Sequence, residues 1–173
     1  QHNVAVVFCN DKYLPQGMLL NLDGNTLQTA RFRSQLEASE PLKKQLWKQT
    51  IIQKIKNQAA LLKRQGADAT ALLYKAKQVA SGDTTNEEAK AAAIYWKRLL
   101  GKGFKRDRYG DAPNAQLNYG YAILRAAVAR ALAGSGLHPT LGIFHRNQYN
   151  SYCLADDIME PYRPYVDLLV LDS

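Results

Sequence analysis

The chain has 173 residues, 46% hydrophobic and 22% charged, an ordinary balance for one soluble domain with its own core. Lys and Arg number 23 against 15 acids, a net charge of +8 that points to a polyanionic partner. No apolar run approaches the ~20 residues of a membrane span, which favours nucleic acid over lipid as that partner.

Val4 to Phe8 is a short β-branched run, and the turn-rich LPQGMLLNLDGN after it leaves room for a second short strand, Met18 to Leu22. From Thr26 onward the pattern is helical, beginning with NTLQTARFRSQL. Ser39, Glu40 and Pro41 mark the start of a long helix that Gly66 should stop. Leu46, Ile51 or Ile52, Ile55, Ala59 and Leu62 give it a buried stripe. Asp68 is expected to cap ATALLYKAKQVA, which ends by Gly82. Thr84 and Thr85 each precede a glutamate by three residues, so either pair can form a capping box for NEEAKAAAIYWKRLL. GKGFKRDRYGDAPN reads as a basic loop, and Asn114 as the cap of an apolar, central helix, AQLNYGYAILRAAVARALA. GSGLHPTLG breaks the pattern, and the last helix starts near Ser151 and is interrupted by Pro161 and Pro164. The fold expected is mainly α, with a short β segment at its start. The chain opens in a strand already under way and closes on YVDLLVLDS within an apolar pattern, which suggests a fragment of a longer protein.

Chemistry-bearing residues are few. Asp156, Asp157 and Glu160 can share a helix face, as a solvated acidic surface or as ligands for a divalent cation. His145, after the apolar LGIF, is either a hydrogen-bonded structural residue or a ligand. Glu88 lies in the first turn of its helix, where the helix dipole favours it, beside small and aromatic residues that can bury it in part. Lys102, Lys105, Arg106 and Arg108 alternate with Phe104 and Tyr109, a pattern that suits phosphate contact and base stacking as well as a solvated charge run. Cys9 and Cys153 make neither a disulfide framework nor a CxxC motif, and are expected to be buried thiols in a reducing cytoplasm. The signatures of P-loop, dinucleotide and serine-hydrolase sites do not occur.

Three stretches add more than pattern. GDTTNEEAKAAAIYW (82–96), LNYGYAILR (117–125) and GLHPTLGIFHRNQYNSYCLADDIMEPYRPYVD (136–167) resemble, in that order, the universal CRISPR-associated integrase. LPQGMLLNLDGNTLQTARFRSQL, PLKKQLW and KIKNQAALL look like its type II branch. The resemblance implies a β domain for dimerisation and for contact with a small ferredoxin-like adaptation protein, followed by a helical catalytic domain. Residues 1–25 would be the end of the first part, and 26–173 an incomplete second part. It also implies a metal-dependent DNA endonuclease that inserts short foreign DNA fragments at a CRISPR repeat by 3′-OH transesterification. The ligands of its Mg2+ or Mn2+ would fall on Glu88, His145 and Asp157, with Glu87 and Asp156 as close alternatives. The family's glycine after the catalytic glutamate is Ala89 here. Arg106 matches the family's FxR motif and is the foremost expected contact to double-stranded DNA, with Lys102, Lys105 and Lys54 beside it. The competing reading is a non-catalytic helical DNA-binding or assembly module.

Overall fold

The computed structural model describes residues 6–11, 15–19 and 28–172. Two short strands, β1 (Val6–Cys9) and β2 (Pro15–Leu19), pair antiparallel with Val6 opposite Leu19. The second strand therefore begins earlier than expected, and 20–22 lie outside the described residues. Cys9 is exposed, against expectation, whereas Cys153 is buried.

Helix α1 (Gln28–Leu36) precedes the long helix α2 (Glu40–Arg64). The Ser39 hydroxyl accepts from the Leu42 N–H, and Pro41 lies in the first turn, so α2 starts where its caps dictate. It ends in a Schellman motif. Gly66 takes a φ of 72°, its N–H donates to Lys63 O, and the Ala67 N–H donates to Leu62 O. Ile51, Ile55, Ala59 and Leu62 are buried along one face, together with Trp47. Trp47 displaces the expected Leu46, which is exposed: the larger ring fills the space and stacks on Phe144.

Helices α3 (Thr70–Gln78) and α4 (Glu87–Leu100) close a first core against α2, built on Leu72, Ala76, Ala91 and Tyr95. Asp68 is not the cap of α3, which starts after Ala69 without a side-chain cap; it accepts from the Thr70 N–H (2.9 Å) and hydroxyl (2.6 Å) and from Arg98 (2.7 Å). Helix α5 (Asn114–Gly134) buries Leu117, Tyr121, Ala122, Ala129 and Leu132. It packs on α6 (Cys153–Met159) and α7 (Arg163–Leu171), which a single 3-10 turn, Glu160–Tyr162, connects. The described part is thus mainly α. None of its helices is long and apolar enough to cross a membrane.

Asn114 does not cap α5. Its side chain turns back instead: Oδ1 accepts from the Asp107 N–H and from Arg106, and Nδ2 donates to Lys105 O. A side chain that can tie down three groups of a neighbouring loop does more there than at a cap.

Candidate functional site

The start of α4 places Glu88. No threonine capping box forms. Asn86, at φ 53°, accepts from the Ala89 N–H, and Asp83 accepts from the N–H groups of Glu87 (2.8 Å) and Glu88 (3.0 Å). Asp83 reaches two orphan N–H groups at once because Gly82 and Asp83 both take positive φ and curl the chain beneath the helix end. The two glutamates then part. Glu87 pairs with Lys75 (3.0 Å) and Lys90 (2.7 Å), and these cations hold its carboxyl below its ordinary pKa. Glu88 points to α2, where Lys54 Nζ donates to its Oε1 at 2.5 Å.

The second doublet divides likewise. Asp156 binds Arg125 (2.5 Å) and the Asn150 amide (2.6 Å). Asp157 is fully buried and accepts four hydrogen bonds. Its Oδ2 takes the N–H groups of Ile143 (2.6 Å) and Phe144 (2.9 Å), and its Oδ1 takes the His145 N–H (3.2 Å) and ring Nδ1 (2.6 Å). The loop can wrap this tightly only because residue 142 is glycine. A Cβ there would collide with the His145 carbonyl oxygen and press on Cys153 and Asp157. The bond from Asp157 raises the His145 pKa, against the opposing effect of burial, and the charges of Asp156 and Glu160 push it the same way. Trp47 adds an edge contact to the ring at 5.9 Å.

Glu160, one of three acids that the sequence places on a shared helix face, is not in the ligand set that the resemblance implies. It is buried one turn after Asp157, its Oε1 pairs with Arg163 at 2.9 Å, and its Oε2 lies 2.5 Å from Lys54 Nζ. Lys54 therefore bridges Glu88 and Glu160. The signal was present in sequence, since Asp157 and Glu160 share a face, but spacing alone could not rank them.

Four N–H groups occupy the Asp157 oxygens, and the bond to Nδ1 fixes the His145 ring. Lys54 is only 10% exposed and is held by two carboxylates. Arg106 is also committed. It donates to Asp107 O, Asn114 and Asn118 and lies over the Tyr121 ring, so it shapes the basic loop, while Lys102 and Lys105 stand exposed.

Among the described residues, no three carboxylate, imidazole or thiol groups already converge on one point as ligands of a single ion. The donor set nevertheless fits a hard divalent cation. Two carboxylates already share a cation, Lys54; Glu160 Oε2 is buried with no aligned hydrogen bond; and the His145 imidazole, which feels the Glu160 charge, is oriented by a carboxylate. Beneath the site, Tyr95 donates to Asp167 at 2.6 Å, and Tyr121 donates to its other oxygen. Burial pushes the Asp167 pKa up to about 6.

Comparison with known proteins gives one answer. The family model described as "CRISPR associated protein Cas1" matches residues 1–173. A "CRISPR-associated endonuclease Cas1" of Neisseria meningitidis serogroup C is 46% identical over 99% of this chain and 57% of its own length. A relative described as "CRISPR-associated endonuclease Cas1 2", from Saccharolobus solfataricus, is 35% identical over 98% of this chain and 56% of its own. This chain thus spans rather more than half the length of these relatives. Among solved structures, a "Casposase bound to integration product" superposes with a TM-score of 0.81 at 26% identity, covering 99% of this chain and 54% of that one. A chain of a "Cas6-RT-Cas1--Cas2 complex" gives 0.75 at 25% identity, covering 99% and 21%.

Proposed function

The chain belongs to the Cas1 family of CRISPR-associated proteins, and on that premise we propose that it carries the metal site and part of the DNA platform of a CRISPR adaptation nuclease and integrase. The observation that carries this reading is the cluster in which Asp157 orients His145 beside the Glu88–Lys54–Glu160 bridge. Relatives named endonucleases and a casposase bound to an integration product support the reaction class.

Glu88, His145 through Nε2, and Glu160 would hold Mg2+ or Mn2+, and the bound cation would act as a Lewis acid on a phosphodiester. Asp157 keeps Nδ1 protonated and so keeps Nε2 a lone-pair donor. Arg163 fixes Glu160 from the side opposite Lys54. Exposed Lys102 and Lys105 hold duplex DNA by its phosphates, a contact that positions without reading bases. In the reaction, the 3′-oxygen of a short foreign DNA fragment forms a bond to phosphorus at the end of a CRISPR repeat. The bond from that phosphorus to the 3′-oxygen of the DNA flanking the repeat breaks, and the proton passes from one hydroxyl to the other. One phosphodiester replaces another, so no ATP is consumed. Water in place of the attacking hydroxyl gives cleavage. A small ferredoxin-like adaptation protein and a second copy of the chain complete the assembly, a reading that the Cas1–Cas2 complexes support.

The test is cleavage of a labelled duplex with Mn2+ by the wild type and His145→Ala. Activity should be lost in the variant at an unchanged melting temperature. Full activity in His145→Ala would remove the residue from the site, whereas no Mn2+-dependent cleavage by the wild type would favour a non-catalytic module.

A further inference from the structure

Lys54 has an unusual position. It sits in the middle of α2, its side chain is 10% exposed, and its ammonium lies 2.5 Å from a carboxylate oxygen of Glu88 and 2.5 Å from one of Glu160. Those carboxylates come from α4 and from the turn after α6, so one lysine links three separate elements. The link is not symmetric. The approach to Glu88 is an aligned hydrogen bond, whereas Glu160 Oε2 has no aligned donor and is held by charge alone. Glu160 keeps Arg163 on its other oxygen, so it is not stranded if Lys54 leaves. Glu88 is 28% exposed and can be solvated. The ammonium is therefore the most replaceable member of the cluster, because each carboxylate has a second source of stabilisation.

We infer that Lys54 is a built-in counter-cation, which holds Glu88 and Glu160 together and competes with a divalent ion for them. This rests on the reading of Glu88, His145 and Glu160 as the metal site. Two carboxylates brought this close repel unless a cation lies between them, and a monovalent one suffices to assemble the site. A divalent ion carries twice the charge and exchanges its water for carboxylate oxygens, so it can evict the ammonium. The lysine stem keeps the evicted ammonium beside the metal, where its three donors meet an anion such as a backbone phosphate. Metal and phosphate loading would then support each other through this one side chain.

The experiment is calorimetric titration of Mn2+ into the full chain at fixed pH and salt, for the wild type, Lys54→Met and Lys54→Arg. Lys54→Met keeps the length of the stem and removes the competitor. It is expected to bind Mn2+ about tenfold tighter than the wild type, with a larger Mn2+-induced rise in Tm. Lys54→Arg keeps a cation and is expected to stay near wild-type affinity. The sign is decisive, since structural damage weakens a metal site and does not tighten it. If Lys54→Met is unfolded without metal, the same titration is run on Lys54→Gln, which keeps a donor without the charge. Equal or weaker Mn2+ binding by the uncharged variant, with the wild type binding normally, overturns the role given to Lys54 and leaves the metal site standing. Absence of Mn2+ binding in wild type and variants alike overturns the metal site itself, and the role of Lys54 with it.

Discussion

The doublets Glu87–Glu88 and Asp156–Asp157 look alike in sequence and end in different situations. In each, one acid is structural: Glu87 is clamped by Lys75 and Lys90, and Asp156 by Arg125 and Asn150. The other acids diverge. Glu88 is partly exposed and makes a single strong contact, with Lys54. Asp157 is buried and saturated by four N–H donors. A carboxylate with open lone pairs can take a ligand; one with none can only support its neighbours. The difference separates an acid that can take a further ligand from one already committed to its neighbours, which residue type and spacing cannot do.

Mutation can break this contrast. Asp157→Ala should have the largest effect on folding, a loss of about 3–5 kcal/mol, because it strands three backbone N–H groups and an imidazole in a buried site. Glu88→Ala should cost far less, since Lys54 keeps Glu160. Thermal melts of both variants check this, and equal losses would erase the distinction. Asp167 sharpens it as a second buried acid. Its folded pKa of about 6 lies above that of the unfolded chain, so the native state binds the extra proton. Stability should therefore be greatest at low pH on this account, and fall by on the order of 3 kcal/mol as pH rises through about 6. Asp167→Asn should flatten that part of a curve of Tm against pH. Asp156→Asn should cost only about 1 kcal/mol, because the Asn150 and Arg125 contacts survive in weakened form. The smallest stability effect belongs to Lys102→Ala and Lys105→Ala, which should leave Tm unchanged. Each should lower the slope of log affinity for duplex DNA against log salt by about one, as filter binding over a salt series would show.

Where the physics is local, the sequence was legible. Ser39, Pro41 and Gly66 bound α2 because caps and stops act within a turn of themselves. The α2 stripe was readable save for Leu46, which lost its place to Trp47 through a stack with a residue far along the chain. Asn114 does not take the cap that its place in the sequence offers. A polar side chain that finds a tertiary partner leaves the role its neighbours suggest, and periodicity carries no trace of that partner. The resemblance brought out Glu88 and His145; Lys54 links Glu88 to Glu160, and the charge of Glu160 acts on the His145 ring. The resemblance favoured Asp157 over Glu160, one turn later. Only the loop at Gly142–His145, folded onto Asp157, shows that the earlier acid is already spoken for.

Anomalous diffraction from crystals of the protein soaked in Mn2+ tests the assignment most directly. The account predicts one anomalous peak within bonding distance of Glu88, Glu160 and His145 Nε2, with Asp157 still bonded to Nδ1 and Lys54 moved aside. A peak bound by Asp157 oxygens, or Lys54 still bridging the two glutamates beside a fully occupied Mn2+, would contradict it.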